Sequence, residues 1–234
     1  MALSVSVVMI SRNEAGAVGG VLDSIHAVVP SAEIVLVDSS TDDTAAIAEA
    51  RGARVIRQLP PRGYGPAMAA ALRAAERDVV ITLDCDATYP ASAIPVLVRI
   101  VEAGWDLVNA TRLASRPKAM PLPNYLANVA FAKVTWAVHG LPVTDVHSGM
   151  RAYRRSKLAE LDFDPEGPAL PVELLILAAR RGWRIAEVPI PYFDRVGATT
   201  LNRLSSTAWT FRRILRLLRR GRRFRGTLHR ESLP

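Results

Sequence analysis

Residues 78–90 read DVVITLDCDATYP. The first half, 78–83, is a β-branched and aliphatic run without polar alternation, the pattern of a strand buried on both faces. Two carboxylates, Asp84 and Asp86, close it. If the strand continues through them, both point to one face, about 6–7 Å apart at roughly 3.3 Å per residue. Acids at the end of a buried strand do little for packing and suit a hard divalent cation, because magnesium takes one or two carboxylates and completes its octahedron with phosphate oxygens and water. The plain alternative is a turn with two solvated acids. Cys85, between them, reads as a small apolar core residue.

Toward the N-terminus the same pattern recurs. Residues 5–10 form a short apolar run, and 15–28 carry Val18, Leu22 and Ile25 at helical spacing before Pro30. EIVLV (33–37) is a second buried strand ending in Asp38, followed by a Ser/Thr/Asp turn and an alanine-rich helix (43–50) that Gly52 stops. Val55–Ile56 is a third strand, 60–66 a Pro/Gly loop, and 67–75 a helix. Strand–helix alternation with short links predicts an α/β single domain whose central sheet is mostly parallel, with helices on both faces. Ligands of such sheets bind beyond the carboxyl ends of the strands. Arg12, Asn13, Glu14, Asp38, Asp84 and Asp86 all fall at that edge.

Beyond Asp86 the pattern is coarser. It predicts a helix over 94–103, a strand over 106–110, a Pro-rich loop over 116–123 and an apolar helix over 125–138. A loop or strand with polar groups covers 145–153, a helix 172–181, a strand 183–191, and a basic amphipathic C-terminal helix 207–220.

The chain has 234 residues, half of them hydrophobic and 22% charged, which excludes a disordered chain and fits one large domain. A single cysteine excludes an intramolecular disulfide and a multi-cysteine metal site, and it points to a reducing compartment. The first apolar run has no basic residue before it and no small-residue cleavage site, so it reads as a strand and not a signal peptide. No stretch approaches the roughly 18 apolar residues of a membrane-spanning helix. The net charge of +8 is uneven: residues 203–234 hold ten arginines against Glu231, so that segment carries +9 and the rest −1. Leu204, Ala208, Phe211, Leu215 and Leu218 form a stripe, with Arg212, Arg213, Arg216, Arg219 and Arg220 largely around it. That is the pattern of a helix lying on an anionic membrane surface; the alternative is a stripe packed on the globule. Aromatic interleaving is limited to Trp209, Phe211 and Phe224, which disfavours nucleic acid.

Ser40, Thr41 or Asp42 can cap the second helix, which leaves Asp38 free to accept hydrogen bonds from a nucleobase or ribose. Asn13 and Glu14 either face a nucleotide or cap the first helix. Arg62-Gly63-Tyr64-Gly65 can bring a guanidinium and backbone N–H groups to a phosphate, without the spacing of a P-loop. His26, His139, His147 and His229 are far apart in sequence, so a histidine metal site is not expected.

The ordered blocks VVMISRNEAGAVGGVL, IVLVDSSTDDTAAIA, GYGPAMAAAL and DVVITLDCDATYP are similar to the GT-A catalytic domain of family 2 glycosyltransferases. DVHSGMRAYRR and EVPIPYFDRVGATTL resemble later signatures of the dolichyl- and polyprenyl-phosphate mannose (or glucose) synthase group. The likeness spans about residues 5–201 and implies a catalytic domain over 1–202, with the basic helix and tail over 203–234. It implies an inverting, metal-dependent transfer of a hexose from a GDP-mannose or UDP-glucose type donor to a polyprenyl phosphate, on the cytoplasmic face of a membrane. By this resemblance Asn13, Glu14, Asp38, Arg62, Gly63 and Asp84 bind the nucleotide sugar, and Asp84 and Asp86 hold Mg²⁺ or Mn²⁺, Asp86 directly. Arg112, Ser148, Arg151 and Arg195 surround the acceptor phosphate, and Asp86, Arg112, Asp145, Arg151 and Arg195 form the catalytic group.

Asp145 is the candidate base for a neutral hydroxyl acceptor; its alternative is a cap or an ion pair to Arg151 or Arg154. Thr88 stands where relatives commonly have a glutamine metal ligand, Asn124 and Asn128 where they often have arginine and serine, and Thr200 where they have lysine. These departures favour, as the competing reading, a soluble transferase with a small hydroxyl acceptor. A non-catalytic nucleotide-sugar or nucleic-acid-binding protein is the third reading, and the intact acid pair argues against it.

Overall fold

Alternation along each strand sorts the apolar side chains onto two faces, and two cores follow from it. In the computed structural model, which describes residues 3–197, 203–218 and 228–230, eight strands form one sheet: β1 (Val5–Ser11), β2 (Glu33–Asp38), β3 (Arg54–Arg57), β4 (Val79–Thr82), β5 (Leu107–Thr111), β6 (Arg151–Arg154), β7 (Ile185–Pro189) and β8 (Leu228–Arg230). Val8, Val35, Val37, Val80, Leu107 and Tyr153 point into one core. Val7, Met9, Leu36, Ile81, Val108 and Ala152 point into the other.

The helices are α1 (Ala15–Val28), α2 (Thr44–Glu49), α3 (Tyr64–Ala74), α4 (Ile94–Glu102), α5 (Leu122–His139), α6 (Arg155–Leu158), α7 (Leu170–Arg180) and α8 (Arg203–Leu218). α1 and α4 bury Val18, Leu22, Ile25, Ile94, Leu97 and Val101 in the second core. α3 and α7 supply most of the helical side chains of the first, where α5 and α8 add Phe131, Ile214 and Leu217.

Strand order is β3-β2-β1-β4-β6-β5-β7-β8. Only β6 runs antiparallel, to both β4 and β5, so the sheet is mostly parallel. β6 resolves the stretch 145–153 into a loop followed by a strand. The register sets Ser11 opposite Asp38 and Thr82 opposite Val8, which gathers the carboxyl ends of β1, β2 and β4 on one edge. Two expectations need correction. β4 ends at Thr82, so Asp84 and Asp86 lie past the strand. α3 starts at Tyr64 and not 67, because Gly63, at φ 95, makes a sharp entry that an L side chain resists.

α8 is pinned by a buried ion pair from Arg213 to Glu173 of α7, by Arg216 to Asp164, and by His139 of α5 against the Ile214 carbonyl (3.0 Å). Arg219 and Arg220, expected in this helix, and Thr200 lie outside the described residues; of Leu204 only the helical backbone is described. No helix among the described residues is long and apolar enough to cross a membrane.

Candidate active site

The turn after β4 organises the site. Asp86 Oδ1 accepts hydrogen bonds from the Thr88 backbone N–H (3.1 Å) and hydroxyl (2.6 Å). This Asx-type turn holds Ala87 at φ 63, a left-handed conformation that costs on the order of 1 kcal/mol without a glycine. Thr88 therefore braces Asp86. Asp84 is half-buried and accepts no hydrogen bond among the described residues. Burial first, and then the neighbouring Asp86 charge, push its carboxyl up to about 7. Gly149 passes so close that a Cβ there would sit 2.5 Å from Asp84 Oδ2, and its N–H donates to Tyr89 Oη at 2.7 Å.

The segment after β7 crosses this turn. The Phe193 and Val196 N–H groups donate to the carbonyls of Thr88 and Asp86, both at 3.0 Å. Between them Arg195 bridges Asp86 Oδ2 (Nη1, 2.5 Å) and Glu14. Burial, only partly offset by Arg195, raises the Glu14 carboxyl.

These groups open on a cavity of about 480 Å³ at the carboxyl edge of the sheet. Glu14, Asp84 and Asp86 line it, together with Arg12, Arg62, Gly63 and Arg195. Arg12 and Arg62 make no ion pair with any described residue. Ser39 and Tyr64 also line the cavity. Among the described residues no three His, Cys, Asp or Glu side chains converge as a self-sufficient metal site. A cation with two carboxylates, whose other positions come from phosphate and water, fits the donor set: Asp84 is a carboxylate without a partner among the described residues, and a cation would relieve its raised proton affinity.

The other residues singled out from the sequence stand behind this surface. Asp38 is fully buried and accepts from Ser11 Oγ (2.5 Å), Ser40 Oγ (2.5 Å), the Ser40 N–H (3.1 Å) and Arg57. Its acceptor positions are filled, and it is not in the cavity wall. Asn13, at φ 59, ties the ends of β1 and β2: its N–H donates to Ser40 Oγ (2.7 Å) and its Oδ1 accepts from the Thr41 N–H (2.9 Å).

Arg112 grips Asp145 in a bidentate pair, Nε–Oδ2 2.7 Å and Nη2–Oδ1 2.9 Å. Asp145 thus has Arg112, not Arg151 or Arg154, as its ion-pair partner. Burial alone would raise its carboxyl, but the Arg112 charge and hydrogen bonds outweigh it and hold Asp145 below the usual range. The Arg112 guanidinium faces the rings of Tyr192 (5.3 Å) and Tyr89 (5.9 Å), and its charge reaches Asp84. Arg151 is 1% exposed; it donates to Asn109 Oδ1 (2.8 Å) and to the carbonyls of Val146 (2.8 Å) and Pro171. Ser148 is buried, with its hydroxyl on the Met150 carbonyl (3.2 Å). The structure therefore brings Glu14, Arg62, Gly63, Asp84, Asp86 and Arg195 together at the cavity, and leaves Asn13, Asp38, Arg112, Asp145, Ser148 and Arg151 outside its wall.

Arg12, placed at the ligand edge by the sequence but given no role there, and Ser39, which the sequence shows only as part of a turn, each follow the last residue of a strand at that edge, and this position is the signal for both.

A mostly parallel sheet covered on both faces, with a charged cavity beyond its carboxyl ends, is the arrangement expected of a GT-A domain. The chain belongs to glycosyl transferase family 2, whose model matches residues 6–162. It is 44% identical over 198 residues to a dolichyl-phosphate hexose transferase of Haloferax volcanii, covering 84% of this chain and 86% of that one. It is 30% identical over 188 residues to an undecaprenyl-phosphate mannosyltransferase of Micrococcus luteus, covering 74% and 77%. Among solved structures it resembles glucosyl-3-phosphoglycerate synthase of Mycobacterium tuberculosis in complex with Mn²⁺, UDP and phosphoglyceric acid. That match has a TM-score of 0.75 at 27% identity and covers 92% of this chain and 78% of that one.

Proposed function

We propose that the enzyme transfers a hexose, with inversion, from a nucleotide-diphosphate sugar of the GDP-mannose or UDP-glucose type to a polyprenyl or dolichyl phosphate. The observation that carries this reading is the cavity itself, where Asp84 and Asp86 stand beside Arg12, Arg62 and Arg195. A diphosphate with a divalent cation needs both signs of charge in one place. The named activities of the two lipid-phosphate relatives support the acceptor, and the Mn²⁺ in the solved neighbour supports the cofactor.

Asp84 and Asp86 would hold Mg²⁺ or Mn²⁺, which when bound neutralises charge on the departing nucleoside diphosphate. Arg12 and Arg62, cations at the cavity wall without an ionic partner among the described residues, would bind the diphosphate oxygens. Asp38 and Asn13 shape the nucleoside end indirectly, by fixing the loops that carry Arg12 and Ser39. Asp145 orients Arg112, and Arg112 and Arg195 supply positive charge to the acceptor phosphate. A phosphate monoester, with a second pKa near 6, is mostly dianionic at pH 7, so no base is required. Asp145 is wholly buried and held ionised by Arg112, which suits a positioning residue. A transferase acting on a small hydroxyl acceptor is the competing reading, and the likeness to a synthase crystallised with phosphoglyceric acid favours it. The same proposal places the enzyme peripherally on the cytoplasmic face of a membrane, drawn by the +9 of residues 203–234.

The test is a panel of nucleotide sugars with and without Mn²⁺, offered with a short-chain polyprenyl phosphate or with soluble hydroxyl compounds. Metal-dependent transfer to the phosphate alone is the expected result. Transfer only to a soluble hydroxyl compound overturns the lipid acceptor.

A further inference from the structure

Residues 164–167, Asp164-Pro165-Glu166-Gly167, run between α8 and the start of α3. Their carbonyls alternate sides. Those of Asp164 and Glu166 accept hydrogen bonds from the two terminal nitrogens of Arg213 on α8, the first at 2.8 Å. Those of Pro165 and Gly167 rest on Gly65 of α3, where a Cβ would collide with both oxygens. Trp209, one turn before Arg213, closes on Gly167: a Cβ there would lie 2.7 Å from its ring. Arg213 is 2% exposed and also pairs with Glu173, so its fork cannot turn away without stripping a buried carboxylate of its nearest cation. Gly65 follows Arg62, Gly63 and Tyr64, which line the cavity. The hydrogen bond that opens α3, from the Ala67 N–H to the Gly63 carbonyl, is long at 3.3 Å, and no side chain caps the helix. Its entry is therefore held by what packs against it.

We propose that Arg213 is a positioning residue for donor binding: α8, acting through residues 164–167, sets where the first turn of α3 stands and so where Arg62 and Gly63 meet the diphosphate. The inference deepens the nucleotide-sugar reading of the cavity and rests on it for the ligand. Backbone resting on backbone passes a displacement on, because there is no side chain at Gly65 to change rotamer and absorb it. Pro165, with its fixed φ, removes one rotation by which the segment could relax. The donor has to be arginine, whose planar fork serves two carbonyls in a set geometry where an ammonium is a point charge. If α8 only covered the core, Ile214 and Leu217 would suffice for it; the guanidinium adds a contact whose far side is the cavity wall.

Full-length protein is titrated calorimetrically with UDP and with GDP in the presence of Mn²⁺, and amide hydrogen exchange is followed along α3. Arg213→Lys keeps the charge beside Glu173 and loses the fork. It should raise the Kd of the nucleoside diphosphate about five- to tenfold and raise the donor KM with kcat unchanged. Exchange should quicken in the first turn of α3 and stay as it was in α1, on the other face of the sheet. Trp209→Ala tests the same segment without touching the buried ion pair and should weaken binding about threefold. Combined with Arg62→Ala, Arg213→Lys should cost much less than it does alone, because the contact that it positions is gone. Unchanged binding and unchanged α3 exchange in Arg213→Lys and Trp209→Ala overturn the proposal. So do losses that simply add in the double variant with Arg62→Ala. Faster α3 exchange in the variants, with neither nucleoside diphosphate bound by the wild type, would sink the donor reading and leave the link from α8 to α3 standing.

Discussion

The cavity edge proposed for the donor pairs three of its six charges, Glu14, Asp86 and Arg195, and leaves the other three open, whereas the cluster around Asp145 leaves none open. At the donor edge Arg12, Arg62 and Asp84 face a cavity without an ionic partner among the described residues. In the cluster Arg112 and Asp145 pair with each other, and Arg151 is spent on Asn109 and on backbone carbonyls. Charge left unsatisfied against a cavity is available to a ligand; charge satisfied in the core holds the fold. Motif residues of both kinds look alike in a sequence.

The largest effect should come from the open side. Asp86→Asn keeps an acceptor for Thr88 but loses the negative charge, and transfer should fall about a thousandfold with a nearly unchanged thermal midpoint. Loss of Mn²⁺ binding, followed by electron paramagnetic resonance, should accompany it. Retention of a tenth of the activity at saturating donor and metal would break the contrast.

Arg151→Met tests the closed side. It strips hydrogen bonds from Asn109 and two carbonyls, which should cost about 2–4 kcal/mol in urea unfolding. A fully stable but inactive Arg151→Met would move Arg151 to the open side.

His147, whose backbone N–H donates to Asp145 Oδ1 (3.1 Å) and whose Nε2 lies 2.8 Å from Thr210 Oγ1, gives the closed side a pH signature. Burial pushes its pKa down to about 4 from 6.5, so the unfolded chain takes up a proton that the folded chain refuses. Its contribution is intact above pH 6.5 and is lost as pH falls toward 4, by on the order of 1–3 kcal/mol. Urea unfolding of His147→Asn should show a correspondingly flatter pH dependence over that window. An identical slope in both proteins would mean that His147 titrates normally.

The smallest effect separates acceptor classes. If Asp145 only orients Arg112, Asp145→Asn should raise the acceptor KM about three- to tenfold and leave the pH profile of kcat unchanged. A hundredfold fall in kcat, with an acidic limb lost from the profile, would make Asp145 a base and favour a hydroxyl acceptor.

Much of the site was legible because its elements carry periodic signals. The buried runs ending at Asp38 and near Asp84 are unmistakable strands, and alternation brought their ends to one edge. β6 was harder to read: Arg151–Arg154 follows a loop with no periodicity, and its antiparallel pairing with β4 and β5 is a long-range choice. The outward stripe of α8 was visible as a stripe, but which of its faces packs depends on α5 and α7.

Local sequence by itself determined the strands and helices, the mostly parallel sheet and the acids at its ligand edge, because hydrophobic periodicity and chain connectivity suffice for those. Only the tertiary structure decided that Asp38 is enclosed, that Arg112 holds Asp145, and that Arg195 reaches Asp86 across 109 residues. Those outcomes depend on which groups, distant along the chain, satisfy one another's charges and hydrogen bonds once water is excluded, and no local pattern records that pairing.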